Sequence, residues 1–172
     1  EATGVLIDQG AESALDRIYN RFVGRKTEFA ELLYRCKKMI VHGPLASELN
    51  VLATGLDRIA ESDRHTRDFT LSRIKEALAE VVACFPVYRT YVTARGVSEE
   101  DRRYVERAIG GARMRAQATD VSIYDFIARM LLLDFPERTP EGVRESATRF
   151  AMSFQQYTGP VMAKGMEDTA FY

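Results

Sequence analysis

The sequence carries almost no excess of either charge, because 24 lysines and arginines face 25 acidic residues and leave a formal net charge of -1. Binding to nucleic acid or to an anionic membrane surface needs clustered positive charge. We therefore expect neither partner. The basic run at residues 102–115 is the feature that favours nucleic acid, and the overall charge balance argues against it.

Long apolar runs are also missing. No stretch approaches the roughly 20 apolar residues that a membrane-spanning helix needs. The chain begins without the basic start and the long apolar stretch of a signal peptide. These absences predict a soluble, cytoplasmic protein without membrane contact.

Cysteine and histidine are scarce, with two of each. Cys36 and Cys84 each lie inside an apolar helical pattern, so we expect two reduced thiols in the core. His42 precedes a glycine and a proline, and His65 lies among charged residues. Neither has the spacing of a metal ligand, and no glycine-rich phosphate-binding motif is present. The sequence predicts no metal site.

Apolar residues recur at steps of three and four along most of the chain, which is typical of amphipathic helices. Hydrophobic residues make up 46% and charged residues 28% of the sequence, which is enough for one core. We predict an all-α fold, an irregular bundle of about seven helices in a single domain over residues 1–172. The predicted helices cover about residues 12–22, 27–41, 45–59, 70–85, 98–109, 121–133 and 139–157.

Local signals predict where several of these helices begin and end. Thr27 and Ser98 are expected N-caps, because a hydroxyl can accept from an unpaired first-turn amide. Thr139-Pro140 predicts another start, with the proline at the first helical position. Gly110-Gly111 is expected to weaken or break its helix. Gly159-Pro160 predicts that the last helix ends near residue 157.

Two stretches depart from the amphipathic pattern. Residues 85–92 (FPVYRTYV) are here called the aromatic segment, and residues 86–92, which follow a helix, are predicted to be extended or irregular. Residues 154–172 (FQQYTGPVMAKGMEDTAFY) are here called the C-terminal motif. Both mix aromatic rings with hydrogen-bonding side chains, as a sugar site requires. The alternative for each is a loop packed on the core.

Residues 48–92 and the C-terminal motif resemble the corresponding part of maltooligosyl trehalose synthases, members of the α-amylase superfamily. AKG, an acid pair and TAFY carry the most specific part of a likeness that covers nearly the whole chain. Enzymes of that family convert the reducing-end α-1,4 linkage of a maltooligosaccharide into an α,α-1,1 linkage by intramolecular transglycosylation. The resemblance implies the same reaction, without a metal or an organic cofactor.

The resemblance also implies that the chemistry lies on other polypeptide. In the family a nucleophilic aspartate and an acid/base glutamate precede this region, a third carboxylate follows it, and none of those motifs is present here. The chain is therefore expected to be a helical subdomain inserted in a (β/α)8-barrel enzyme, inactive alone, with residues 154–172 joining the barrel. Its expected partners are a maltooligosaccharide and the rest of the barrel. Separated from the barrel, it is expected to self-associate.

Carried over from the family, Lys164, Glu167 and Asp168 are expected substrate-binding residues, and Arg89 and Tyr91 form a second group. None is expected to be catalytic. The Lys164 ammonium would hold the reducing-end glucose, and the acids would either contact sugar or pair with Lys164 and orient it. The alternative for the whole chain is a helical scaffold or interaction module without sugar contact.

Overall fold

Seven α-helices make up most of the part of the chain that the computed structural model describes, which is residue 4 and residues 8–24, 26, 28–116 and 121–171. No strand occurs within these ranges, where Thr93 and Gly96 form an isolated β-bridge. The prediction of an all-α fold with about seven helices is confirmed. The helices are α1 (Glu12–Val23), α2 (Phe29–His42), α3 (Ala46–Glu61), α4 (Leu71–Ala83), α5 (Glu99–Arg115), α6 (Ser122–Leu131) and α7 (Glu141–Met162), with a 3-10 turn (Gln9–Ala11) before them and a π-helix, π1 (Ala163–Ala170), after them.

The chain divides into two compact units, Glu1–Leu32 and Leu33–Tyr172. The first unit contains α1, which has no buried residue. The second contains α3 to α7, π1 and most of α2, and it holds the hydrophobic core. The expectation of one domain over residues 1–172 stays a prediction. No helix in the described ranges is both long enough and apolar enough to cross a membrane.

The core of the second unit takes buried residues from α3, α4, α5, α6 and α7. Leu49, Leu52 and Leu56 recur at steps of three and four, so they lie on one side of α3, and all three are buried. Phe85 and Phe154 meet edge to face, with ring centroids 5.4 Å apart. Burying a side chain of this size stabilises the fold by roughly 1.5–3 kcal/mol. The core therefore fixes α7 against the start of the aromatic segment.

The glycine pair at residues 110 and 111 does not break α5, which continues to Arg115, so the expected break is wrong. The reason lies in helix packing, because a Cβ added at Gly111 would lie only 3.3 Å from the Cβ of Cys84. Glycine lets α5 approach the end of α4 closely, and the resulting burial outweighs the roughly 1 kcal/mol cost of a helical glycine. Cys36 is buried, Cys84 is partly buried, and both are free thiols.

The last α-helix also runs further than predicted. α7 does not end near Tyr157 but passes through Pro160 to Met162. Proline lacks an N-H and crowds the carbonyl four residues earlier, which here belongs to the exposed residue Gln156. Val161 and Met162 are buried. Their packing keeps the chain helical, although proline disfavours it.

The helix starts agree with the sequence in part. The Ser98 hydroxyl accepts from a first-turn amide of α5 at 3.1 Å, as predicted. α7 begins at Glu141 and Pro140 is its N-cap without a side-chain hydrogen bond, so the expected start at Thr139-Pro140 is wrong by one residue. The reason is that Pro140 has extended backbone, with ψ of 143°. Thr27 lies outside the described residues.

Candidate functional site

The aromatic segment is held on α7 by one buried amide. The Nε2 of Gln155 donates to the carbonyl of Val92 at 3.0 Å, and its Oε1 accepts from the Val92 amide at 2.9 Å. The same Oε1 accepts from the Thr90 hydroxyl at 3.3 Å. Gln155 is 4% exposed. A buried backbone group without a hydrogen-bond partner is costly. The side chain of Gln155 gives the backbone of Val92 the partners that a neighbouring strand would give it in a sheet.

A second link joins the aromatic segment to the acid pair of the C-terminal motif. The hydroxyl of Tyr88 donates a hydrogen bond to the carboxylate of Glu167. This hydrogen bond raises the pKa of Tyr88 above its ordinary value, and desolvation adds to the effect. Near the same place, a Cβ added at Gly159 would lie 3.8 Å from the carbonyl oxygen of Tyr88. The two stretches singled out in the sequence therefore meet on one surface.

The lysine and the two acids of the C-terminal motif all lie on π1 and are exposed. The amide of Phe171 donates to the carbonyl of Met166 at 2.9 Å, which is the i→i+5 hydrogen bond of a π-helix. Residues four or five apart then lie on about the same side of the helix, so Lys164 and Asp168 share a side. π-helical turns are rare and are frequent at functional sites.

The described residues show no ion pair between Lys164 and Glu167 or Asp168 within 4.0 Å. Whether the acids contact sugar or orient Lys164 stays a prediction. The carboxylate of Glu167 pairs instead with Tyr88. The ammonium of Lys164 and the carboxylate of Asp168 face solvent.

Arg89 and Tyr91 form a pair of their own. The guanidinium of Arg89 lies 4.9 Å from the centre of the Tyr91 ring. At this distance the face of the ring attracts the cation. Tyr91 is 70% exposed, and its amide donates to the carboxylate of Asp101 at 3.1 Å. Among the described residues, no hydrogen bond or ion pair joins Arg89 or Tyr91 to the three charged residues of π1.

Sequence reasoning missed Lys37, which lies against both stretches. Its Nζ donates to the carbonyl of Phe85 at 2.7 Å, and only 3% of the residue is exposed. Burial lowers the pKa of Lys37 to about 8. The sequence does contain a signal for this burial. Lys37 precedes the apolar residues Ile40 and Val41 by three and four positions, so it lies on the same, buried side of α2.

A polar cluster between α2 and α4 was also missed. The carboxylate of Glu80 accepts from the Tyr34 hydroxyl at 2.7 Å and from the Lys38 ammonium at 2.6 Å. The guanidinium of Arg115 lies 3.8 Å from the centre of the Tyr34 ring. Burial, helped by the hydrogen bond to Glu80, raises the pKa of Tyr34. The cluster gives the nearly buried carboxylate of Glu80 its hydrogen-bond partners and links α2 to α4.

The exposed groups have the chemistry that hydroxyl groups and sugar rings require. The ammonium and the carboxylates provide donors and acceptors for hydroxyl groups, and the ring of Tyr91 provides an apolar face for stacking. Comparisons with protein-family models, with curated proteins and with solved structures found no match to this chain.

Proposed function

We propose that this chain is the helical part of a maltooligosyl trehalose synthase-like enzyme and forms the wall that holds the reducing-end glucose. The observation that carries the proposal is the hydrogen bond between Tyr88 and Glu167, which joins the two stretches that bear the resemblance. Both stretches contribute to the surface on which Lys164 and Asp168 are exposed. The enzyme would be cytoplasmic, and its bond-breaking carboxylates would lie on the rest of a catalytic barrel.

The wall has a defined task in such a reaction. After the reducing-end α-1,4 linkage breaks, the released glucose must stay bound and turn, so that its anomeric hydroxyl attacks the glycosyl intermediate. If the glucose escapes, water attacks and the outcome is hydrolysis. Holding the acceptor in place converts the second step into an effectively unimolecular one.

Each exposed group fits one part of this task. The ammonium of Lys164 donates to glucose hydroxyls, and the carboxylate of Asp168, on the same side of π1, accepts from them. Glu167 is oriented by Tyr88 and offers its remaining acceptor capacity to a hydroxyl. The exposed ring of Tyr91 stacks on a sugar face, and Arg89 supports that ring.

The reaction itself is tested with the longer enzyme that the proposal implies. Incubated with a maltooligosaccharide of several glucose units, it should remove reducing ends while releasing little free glucose, and the product should contain a terminal α,α-1,1 linkage. The 172-residue chain alone should do neither. Release of glucose without the new linkage, or no reaction with any maltooligosaccharide, would contradict the proposal.

One observation favours a second candidate, a helical interaction module. α1 carries exposed apolar side chains at helical spacing, including Leu15, Ile18 and Tyr19 at 60–67% exposure and Phe22 at 90%. Such a face favours a partner surface, either the rest of the enzyme or a second copy of the chain. Sedimentation of the isolated chain at several concentrations should show self-association that Ile18→Glu with Phe22→Glu abolishes. A wild-type chain that is monomeric at every concentration would count against this candidate.

A further inference from the structure

Lys37 is an unusual residue to find in a helical core. It lies on α2, it is 3% exposed, and its ammonium donates to the carbonyl of Phe85 at 2.7 Å. Phe85 is the first residue of the aromatic segment, three positions before Tyr88. The ammonium therefore fixes the point at which the aromatic segment leaves α4.

Stability alone does not explain a lysine here. In the described part of the chain no carboxylate lies within 4.0 Å of the Lys37 ammonium. Desolvating an ammonium without an anionic partner is costly, and the lowered pKa of Lys37 reflects that cost. The neighbouring Lys38, by contrast, pairs with Glu76 and Glu80.

The stem of Lys37 also contacts the C-terminal motif. A Cβ added at Gly165 would lie 3.2 Å from the Cα of Lys37 and 2.8 Å from its Cγ, and the second distance is too short for real atoms. The glycine therefore lets π1 approach the backbone of α2 directly. Gly165 follows Lys164 and precedes Glu167 by two positions, so the contact lies at the centre of the charged group.

We propose that Lys37 is a positioning residue for the sugar-binding wall, because its ammonium holds the aromatic segment and its stem seats π1, which together set Tyr88 against Glu167. The substrate side of this inference rests on the proposed function. The placement of Tyr88 against Glu167 does not, and it is measurable in the chain itself. Lys37 touches no sugar and acts through the groups that it orients.

The first test uses the 172-residue chain labelled for NMR, with Lys37→Met as the variant and Lys75→Met, at a lysine of α4 outside both stretches, as the matched control. Lys37→Met keeps a similar stem and removes the donor to Phe85. It should shift the resonances of Tyr88 and of residues 164–167, whereas Lys75→Met should leave them in place. Unmoved resonances in Lys37→Met, or equal shifts in both variants, would overturn the proposal.

Gly165→Ala provides a second route that leaves the ammonium intact. Its methyl group should push π1 away from α2 and shift the resonances of both Lys37 and Tyr88, and shifts confined to residues 163–167 would overturn the proposed coupling. This variant also decides the question if Lys37→Met does not fold.

The last readout separates positioning from general stability. In the longer enzyme, Lys37→Met should lower the ratio of α,α-1,1 linkage formed to glucose released at least several-fold. Lys75→Met, at an equal folded fraction, should leave that ratio unchanged. An unchanged ratio in an active Lys37→Met enzyme would make the residue merely structural. If the wild-type enzyme does not act on maltooligosaccharides, the proposed function fails, and the resonances of Tyr88 still decide the role of Lys37.

Discussion

The hydroxyl of Tyr88 donates to the carboxylate of Glu167 across 79 positions of sequence. The aromatic segment and the C-terminal motif meet through this contact. Four positions after Tyr88, the side chain of Gln155 holds the same segment by hydrogen bonds to the backbone of Val92. Lys37 anchors its beginning at Phe85. An irregular segment with three such anchors is held in a defined position, as a binding site requires.

The contact between Tyr88 and Glu167 is testable by titration. Glu167→Gln removes the charged acceptor, so the pKa of Tyr88 should fall towards its ordinary value, since the hydrogen bond to Glu167 is the main cause of the increase. Asp168→Asn, which changes the neighbouring acid, is the control and should leave Tyr88 unaffected. The tyrosine ring resonances followed with pH, and assigned with Tyr88→Phe, give the measurement. Identical titration of Tyr88 in wild type and Glu167→Gln would contradict the contact.

Gln155 should be important for stability. Gln155→Leu leaves the amide and carbonyl of Val92 buried without their partners, which should lower the free energy of unfolding by about 2–4 kcal/mol. Gln156→Leu, at the exposed neighbouring position of α7, is the control and should change it by less than about 1 kcal/mol. Urea unfolding of the two variants measures the difference. Equal stabilities would show that Val92 does not depend on Gln155.

The two adjacent glycines of α5 should respond differently to alanine. A Cβ at Gly110 meets nothing within 4 Å, so Gly110→Ala should stabilise the chain by about 0.5–1 kcal/mol through helix propensity. A Cβ at Gly111 lies 3.3 Å from that of Cys84, so Gly111→Ala should be less stable than Gly110→Ala. Thermal unfolding compares the two variants directly. The same gain at both positions would mean that α5 and α4 are not closely packed there.

Lys37 should leave a signature in the pH dependence of stability. Its pKa of about 8 in the folded chain is below the ordinary 10.5, so the folded state releases this proton first as pH rises. Between pH 8 and 10.5 the unfolded state binds more protons, and stability therefore rises with pH. Relative to Lys37→Met, the wild type should gain up to about 3 kcal/mol across this range.

Urea unfolding at several pH values measures this gain. Both chains should carry Cys84→Ala, because the Cys84 thiol interacts with Lys37 and burial raises its pKa above the ordinary value. A difference between the two chains that stays constant from pH 8 to 10.5 would show that the Lys37 ammonium is not desolvated.

The helices were predictable because their cause is local. Leu49, Leu52 and Leu56 repeat at steps of three and four, and this period alone indicates a helix with one buried side. Gly111 and Pro160 misled the prediction for the opposite reason. Each is locally unfavourable in a helix, and contacts with other parts of the chain overcome that cost.

For the candidate site, the sequence named only exposed residues, and their role in binding stays a prediction. The resemblance named Lys164 and Glu167, and the structure exposes both on π1. Their supports, Tyr88 and Lys37, act across 79 and 48 positions, and no local pattern reports which residues meet at such separations. The π-helical form of residues 163–170 likewise had no sequence signal that periodicity detects.

The most direct test of the sugar-binding wall is Lys164→Ala in the longer enzyme, with Lys75→Ala, outside both stretches, as the control. The measurement is the ratio of α,α-1,1 linkage formed to glucose released from one maltooligosaccharide. Losing a charge-assisted hydrogen bond to the acceptor glucose should lower this ratio by about tenfold or more, while Lys75→Ala keeps it. Rates of linkage formation and glucose release that are both unchanged in Lys164→Ala would contradict the account.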